Sequence, residues 1–294
     1  TVSVSTAYKP SLNVSGDLFD RVLLPDGRVC LYVADCAGHG VAAAMVSSLL
    51  KATFTEVIHS AGANCSPSML CSEVEARFRR TVRDPSMYAT ASLAICDPTS
   101  SCWRVMNCGH PSPILLAADG ACSFPCEQGG GTPIGFGFLG NRPYQESDEI
   151  EIESSAGDLL FFYTDGLIEA QHEASDNEFG VENLVEILRS CRRRGTPFGL
   201  GEQVLEAISG QGYQIAQDDC SIMMAETISP TGVLFDGDVP ASLGAIQEFG
   251  ATIETLLRER GWRDTSAAAV QLVVVEHGNN AVIHGRLQSD EGLH

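Results

Sequence analysis

Apolar segments followed at once by Asp-Gly or Asp-x-x-Gly recur along this chain, and they constrain its fold more than any other feature. VCLYVADCAG carries such an aspartate, and so does DLLFFYTDG. A single aspartate of this kind is usually only a turn residue. Several of them at strand ends would place carboxylates along one edge of a sheet. The motifs are VSGDLFD (Asp17, Asp20), VADCAGHG (Asp35), FFYTDGLIEA (Asp165) and QDDCSIMMA (Asp218, Asp219).

The region 1–228 has the pattern of strands linked by turns, with a few helices between them. Alternating or continuously apolar runs predict strands in RVCLYVADC, ASLAICD, CWRVMNCG, PILLAAD, DEIEIES, DLLFFYTDG and CSIMMAET. Apolar spacing predicts helices over 41–60, 67–82, 181–194 and 202–209. Because hairpin connections outnumber crossovers, we expect an α+β fold, a β-sandwich flanked by helices, rather than a doubly wound parallel sheet.

The charge balance is strongly acidic, with 38 Asp and Glu against 18 Lys and Arg and a net charge of −20. Such a surface repels nucleic acid and anionic membranes, so neither is expected as a partner. No basic and apolar leader follows Thr1, and no long apolar run suggests a membrane span. The 11 cysteines show no zinc-type spacing. We therefore expect a cytoplasmic protein, cut from a longer one, with reduced cysteines.

Crowded carboxylates predict a bound metal. Acids gathered at one sheet edge repel each other unless a cation neutralises them. Hard divalent ions such as Mg²⁺ and Mn²⁺ prefer oxygen ligands, chiefly carboxylates. The sequence therefore predicts a divalent metal centre built from these aspartates.

The order, spacing and flanking residues of the four motifs resemble the PPM family of metal-dependent serine/threonine phosphatases. The resemblance is greatest to its SpoIIE/RsbU-like bacterial branch and runs from about residue 5 to residue 227. VLLPDGRVCLYVADCAGHG with VAAAMVSSLLKATF resembles the second motif of that branch and the helix after it. YATASLAICDPTSSCWRVMNCGHPSPILL resembles its central hairpin, and GGGTPIGF and GDLLFFYTDGLIEA follow in the expected order. The resemblance implies a PPM-type β-sandwich and phosphatase activity.

The resemblance also implies two metal ions held by aspartates. Asp35 would bridge the ions, and the backbone carbonyl of Cys36 would bind one of them. Asp165 and Asp218 would complete the site of the other ion, and the register of the DD pair leaves Asp219 as the alternative to Asp218.

Two positions depart from the pattern of the family. Cys36 stands where the family has glycine or this branch has valine, a change that a backbone carbonyl ligand tolerates. VSGD replaces a version with two glycines, and its Asp17 would bind through water or hold a further ion.

The implied chemistry is hydrolysis by a water activated between two Mn²⁺ or Mg²⁺ ions, which needs no protein nucleophile. His39 and His110 are candidate proton donors to the leaving oxygen, although a structural role in turns is the favoured interpretation of both. The implied substrate is a phosphoserine on a STAS-type antagonist protein in a bacterial partner-switching pathway that controls a sigma factor. A regulatory domain upstream is the other implied partner.

The composition changes near residue 229. ISPTGVLFDGDVPAS is rich in proline and glycine, which predicts a linker over 229–240. Helical patterns follow over 241–260 and 265–284, so the segment 241–294 is predicted to be an incomplete second domain.

Glu276, Asn280 and His284 recur at i, i+4 spacing and so share one helix face. An exposed polar face is one interpretation. The pattern E-x-x-x-N-A-x-x-H-G is also similar to the N-box of GHKL ATPases, especially anti-sigma-factor kinases of the RsbW type. That resemblance implies that Glu276 is a catalytic base and that Asn280 binds Mg²⁺ with ATP. Because the glycine-rich boxes do not follow, ATP is not expected to bind well.

Two other functions remain open on the sequence alone. The chain could keep the phosphatase fold as a catalytically silent binding module that senses a partner, fused to an anti-sigma serine kinase. It could instead be a nucleotide-binding kinase in which the first 228 residues are only regulatory. The complete set of aspartates counts against the silent module, and the missing glycine-rich boxes count against the kinase.

Overall fold

Strands and helices alternate through the chain in the computed structural model, which describes residues 2–11, 14–38, 40–62, 65–97, 100–127, 130–136, 144–175, 177–194, 199–215, 219–228 and 242–259. Contacts divide the chain into two units, Thr1–Ile228 and Ser229–His294. The strands are β1 (Val2–Lys9), β2 (Asp17–Leu23), β3 (Val29–Cys36), β4 (Ala89–Asp97), β5 (Cys102–Cys108), β6 (Ile114–Leu116), β7 (Cys122–Ser123), β8 (Ile150–Glu153), β9 (Leu159–Tyr163), β10 (Gln171–His172), β11 (Tyr213–Gln214) and β12 (Cys220–Thr227). The helices are α1 (Gly40–Ala61), α2 (Pro67–Thr81), α3 (Gly180–Arg194), α4 (Leu200–Gly210) and α5 (Leu243–Glu259).

Two antiparallel sheets form the centre of the first unit. Within the described residues, sheet I has the order β1-β12-β9-β6-β7 and sheet II has the order β2-β3-β4-β5-β8. Hairpins build most of sheet II, whereas sheet I joins β1 to β12 from opposite ends of the unit. The termini of the unit are therefore tied together in one sheet.

The sheets pack face to face, and helices cover their outer faces. Between the sheets lies a core that includes Leu31, Val33, Trp103, Leu160, Phe162 and Met223. On β3 the alternate residues Cys30, Tyr32 and Ala34 point the other way, into a core shared with α1 and α2. A third core joins sheet I to α3 and α4. This arrangement confirms the predicted α+β sandwich flanked by helices.

Helix α1 is more apolar than the sequence analysis allowed. Among the described helices, it alone is long and apolar enough to cross a membrane by length and composition. Its inner face nevertheless packs into the core of the first unit through Leu50, Phe54, Val57 and Ile58, which are almost completely buried. Burial of this kind is what a core helix of a globular domain requires.

The predicted elements agree with the structure, but several strands were not predicted. The four predicted helices of the first unit correspond to α1–α4, and each predicted strand contains an observed one. The missed strands are β1 and β2 and the two-residue strands β7, β10 and β11. In the second unit, α5 buries Ile253 and Leu257 beside Phe249. The helix predicted over 265–284 lies outside the described residues. All the cysteines lie within the described residues, and none of them forms a disulfide bond.

Candidate metal centre

Two of the predicted aspartates face each other across sheet II. Asp17, the first residue of β2, is the direct cross-strand partner of Asp35 near the end of β3. Residues paired in this way project to the same face of a sheet, about 5 Å apart at their β-carbons. Like charges in such a pair destabilise the sheet unless something neutralises them.

Gly16 leaves room beside this pair for a carboxylate oxygen of Asp35 and for the carbonyl oxygen of Cys36. A β-carbon on Gly16 would lie 3.1 Å from the carbonyl oxygen of Cys36 and 3.4 Å from Oδ1 of Asp35. The backbone N–H of Cys36 donates to the carbonyl of Gly16 at 3.3 Å, which holds the two segments together. Burial first, and then the charges of Asp35 and Asp17, raise the pKa of the Cys36 thiol. The thiol therefore stays protonated, and the backbone carbonyl oxygen is the metal ligand that Cys36 can offer.

Sheet I brings two further aspartates to the same end of the sandwich. Asp165 opens a short helical turn directly after β9, and Asp219 immediately precedes β12. Asp219 is 8% exposed, and its carboxylate accepts hydrogen bonds from the backbone N–H of Ser11 at 2.9 Å and of Gly16 at 3.0 Å. Asp219 thereby fixes the segment that leads into Asp17.

A buried threonine links the two sheets at this point. The hydroxyl of Thr164 lies 2.8 Å from Oδ2 of Asp17, and the backbone N–H of Ser221 donates to the same hydroxyl at 2.9 Å. Thr164 is completely buried. Neither Thr164 nor Ser221 was predicted as a site residue. Thr164 stands next to Asp165 and Ser221 two residues after Asp219, but the contact of Thr164 with Asp17 reaches across the sandwich.

The electrostatics of the site show how close these acids lie. Burial is the main cause that raises the pKa of Asp17 to about 7, and the charges of Asp219 and Asp165 raise it further. The hydroxyls of Ser221 and Thr164 oppose the shift, although Ser221 Oγ falls short of hydrogen-bond geometry. Without a cation, the ionised form of Asp17 is therefore strongly disfavoured.

His110 lies inside the fold rather than open to solvent. Oδ1 of Asn107 accepts a hydrogen bond from the backbone N–H of His110 at 2.8 Å, and Nδ2 of Asn107 donates to the carbonyl of His110 at 2.9 Å. Nδ1 of His110 lies 2.8 Å from Oγ1 of Thr90, the residue that pairs with Asp35 across β3 and β4. Burial lowers the pKa of His110 to about 4, with slight opposition from the carbonyl of Tyr163. The imidazole is therefore neutral at neutral pH.

The described residues do not contain the full predicted ligand set. Asp17, Asp35, Cys36, Asp165 and Asp219 gather at one end of the sandwich. Within the described ranges, no three carboxylate, imidazole or thiolate groups lie close enough together to hold an ion by themselves. The predicted ligand Asp218, the candidate proton donor His39, and the N-box residues Glu276, Asn280 and His284 lie outside those ranges.

The donor chemistry nevertheless fits a hard divalent cation. The groups that meet around Gly16 and Asp17 offer carboxylate oxygens and one backbone carbonyl oxygen. Mg²⁺ and Mn²⁺ select such oxygen donors. The raised pKa of Asp17 indicates a deficit of positive charge at this place, which a divalent cation would supply.

Comparison with known families decides the class. The family described as Stage II sporulation protein E (SpoIIE) matches residues 25–228, which include Asp35 and Asp165 and begin just after β2. The chain belongs to the SpoIIE family. It is thus a homologue of the PP2C/PPM serine/threonine phosphatases, and the predicted family is confirmed.

Similar proteins carry the same domain in different settings. The protein IcfG of Synechocystis sp. is 25% identical over 208 residues, which are 63% of this chain and 32% of IcfG. This chain therefore spans about a third of that relative. The structure of the RsbU and RsbW domains of Rv1364c from Mycobacterium tuberculosis has a TM-score of 0.66 and 25% identity, and it covers 97% of this chain and 76% of that one. The SiaA-PP2C domain of Pseudomonas aeruginosa shares the fold. Its TM-score is 0.63, and its 23% identity covers 76% of this chain and 85% of that one.

Divalent metal ions occur in this fold. The catalytic domain of the serine/threonine protein phosphatase PstP, in complex with two manganese ions, has a TM-score of 0.52 and 15% identity over 78% of this SpoIIE-family chain and 99% of PstP. The structural similarity establishes the shared fold, and the metal ions are those of PstP.

Proposed function

We propose that this chain removes phosphate from serine or threonine of a protein substrate with the help of two divalent cations. One observation carries the proposal. Asp17 faces Asp35 across β2 and β3, while Asp165 and Asp219 approach from the other sheet closely enough to raise the pKa of Asp17. Membership of the SpoIIE family supports the same activity.

The residues that would hold the cations come from both sheets. Asp35 and the carbonyl of Cys36 would contribute from sheet II, and Asp165 from the end of β9 in sheet I. Asp218 is the further proposed ligand. Asp17 would bind directly or through water. The cations, when bound, supply Lewis-acid activation of water and neutralise charge on the phosphoryl oxygens. Mn²⁺ and Mg²⁺ both suit these donors.

The surrounding residues would keep these donors in place. Gly16 leaves the carbonyl of Cys36 accessible, and Asp219 holds the segment before Asp17 through two backbone N–H groups. His110 stays neutral and is 6% exposed, which supports a role in holding its turn rather than in donating a proton to the leaving group.

A phosphoserine on a STAS-type antagonist protein is the proposed substrate, within a cytoplasmic partner-switching pathway. The support is the likeness to the structure of the RsbU and RsbW domains of Rv1364c, which extends over 97% of this chain. A regulatory domain upstream would control the activity. The segment 241–294 is proposed to be the beginning of an RsbW-like kinase whose Glu276 and Asn280 would contact ATP and Mg²⁺ in a longer protein.

Metal-dependent turnover tests the activity. The unmodified chain should hydrolyse a phosphoserine peptide and an aryl phosphate in Mn²⁺ and should be inactive in EDTA. Asp35→Asn should lower kcat by at least about a hundredfold, a loss of at least about 2.7 kcal/mol of transition-state stabilisation. Asp20→Asn, on the neighbouring strand β2 but paired with Lys51 at the surface, is the matched control and should keep full activity.

The outcomes separate the candidate functions. Metal-dependent activity that Asp35→Asn removes and Asp20→Asn retains supports the phosphatase. No turnover of a phosphorylated STAS-type protein or of the aryl phosphate, in a chain that folds and binds Mn²⁺, would instead identify a silent binding module.

A further inference from the structure

The hydroxyl of Thr164 has a single hydrogen to donate, and the structure shows where it goes. The backbone N–H of Ser221 donates to Thr164 Oγ1 at 2.9 Å, so that oxygen acts as the acceptor there. The remaining short contact of the hydroxyl is Oδ2 of Asp17 at 2.8 Å. The ionised carboxylate that would bind a cation can only accept, so Thr164 then donates its hydrogen to Asp17.

This hydrogen bond is rigidly supported from sheet I. The backbone N–H of Thr164 donates to the carbonyl of Ser221 at 3.1 Å, in addition to the bond that Ser221 returns to the hydroxyl. Thr164 and Ser221 are both 0% exposed. The position of the hydroxyl is thus fixed by the pairing of the strands that carry Asp165 and Asp219.

The bond also reaches across the sandwich. Asp17 belongs to β2 of sheet II, and Thr164 follows β9 of sheet I, 147 residues away. Asp17 is anchored in its own sheet by its pairing with Asp35, and its backbone N–H donates to Ser15 Oγ at 3.0 Å. Its carboxylate is the part that Thr164 orients, because one oxygen is held by a charge-assisted hydrogen bond.

We propose that Thr164 is a positioning residue of the metal centre, whose hydroxyl holds the carboxylate of Asp17 in the orientation that binds the divalent cation. This inference rests on the proposed phosphatase function and adds a residue to it. Groups that orient a metal-binding side chain commonly change metal affinity by about 10- to 100-fold when they are removed.

The test compares three variants in Mn²⁺ binding, followed by the loss of the free-ion EPR signal. Thr164→Val keeps the shape but removes the hydroxyl, and it should raise the dissociation constant of Mn²⁺ about 10- to 100-fold. Thr164→Ser keeps the hydroxyl and should restore binding close to that of the unmodified chain. Thr227→Val is the matched control. Thr227 lies at the end of β12 away from Ser221, is 3% exposed, and shares a 2.8 Å hydroxyl contact with Ser154. It should reduce stability without changing Mn²⁺ affinity.

Turnover supplies a second readout. In Thr164→Val, the Mn²⁺ concentration for half-maximal rate should rise with the dissociation constant, while kcat at saturating Mn²⁺ should largely recover. If Thr164→Val does not fold, Thr164→Cys, whose thiol is a weak donor, should bind Mn²⁺ less tightly than Thr164→Ser.

Three results would overturn the inference. Thr164→Val (or Thr164→Cys in its place) could bind Mn²⁺ as tightly as the unmodified chain, Thr164→Ser could fail to restore binding, or Thr227→Val could weaken binding equally. Any of these, in a chain that binds Mn²⁺ and hydrolyses phosphoserine, refutes the role of Thr164 alone. An unmodified chain that binds no Mn²⁺ refutes both this role and the proposed function.

Discussion

At the scale of single residues, the site is organised around a carboxylate whose charge the metal-free fold disfavours. Burial and the neighbouring acids raise the pKa of Asp17 to about 7, against an ordinary value of 3.8. Well below pH 3.8 the group is protonated in both folded and unfolded chains. Between pH 3.8 and 7 the unfolded chain ionises the group while the folded chain keeps it protonated, so the folded state progressively loses stability. The loss is complete above pH 7, where the folded chain must also ionise it.

Asp17→Asn should therefore stabilise the metal-free protein. At pH 8 in EDTA we expect an increase of about 1–3 kcal/mol in the free energy of unfolding, and no increase near pH 4. In Mn²⁺ the order should reverse, because an amide is a weaker ligand than a carboxylate. Urea unfolding at both pH values, with Asp20→Asn as control, checks this. A variant that is less stable than the unmodified chain in EDTA at pH 8 would contradict the account.

His110 should make the fold sensitive to acid. Its pKa falls from 6.5 to about 4 on folding, so the unfolded chain takes up a proton between these values that the folded chain does not. Stability is therefore lost as the pH falls, by about 2 kcal/mol between pH 7.5 and 5. The change in unfolding free energy over this range should be smaller by that amount in His110→Gln. His59→Gln, on the surface of α1, is the control, and equal losses in both variants would refute the assignment.

At the scale of elements, α1 is held on sheet II by aromatic packing. The rings of Tyr32 on β3 and Phe54 on α1 stack with their centroids 4.5 Å apart, and neither side chain is exposed. The same helix begins just after Asp35, and the hydroxyl of its Ser47 lies 3.4 Å from the carbonyl of Asp17. Packing of α1 therefore also supports the strands that carry the site.

Truncation of this contact should be costly. Phe54→Ala leaves a cavity in the core and should lower the free energy of unfolding by about 3–5 kcal/mol. Met45→Ala, on the same helix but 69% exposed, should change it by less than about 0.5 kcal/mol. Chemical denaturation in EDTA measures both. Similar losses in the two variants would show that α1 is not anchored through Phe54.

The sequence predicted the strongly patterned elements and missed those that depend on distant partners. β3 is buried on both faces and α1 is long and apolar, so both are evident from composition. β1 buries only Ala7, and β2 carries charged residues at Asp17, Asp20 and Arg21. Their pattern is weak, and pairing with β12 and β3 stabilises them instead.

The same limit applies to the site. The aspartates were predicted because each stands at a strand end in a motif with neighbours of its own. The contact of Thr164 with Asp17, and the bonds from Ser11 and Gly16 to Asp219, join residues more than 140 positions apart. Only the register of the strands brings these groups together.

At the scale of the whole molecule, the site belongs to both sheets and to neither alone. Sheet II supplies Asp17 and Asp35, and sheet I supplies Asp165 and Asp219. The core between the sheets sets their separation. A net charge of −20 surrounds the molecule with a field that attracts divalent cations and repels phosphate. Recognition of a phosphoprotein is therefore expected to depend on bound metal.

Anomalous diffraction from crystals of the chain grown with Mn²⁺ tests the central claim most directly. The account predicts two manganese peaks at the end of the sandwich where the sheets meet, one beside Asp35 and the carbonyl of Cys36 and the other beside Asp35 and Asp165. Asp35→Asn crystals should lose at least one of them. Strong manganese peaks elsewhere in the molecule, with none among these carboxylates, would contradict it.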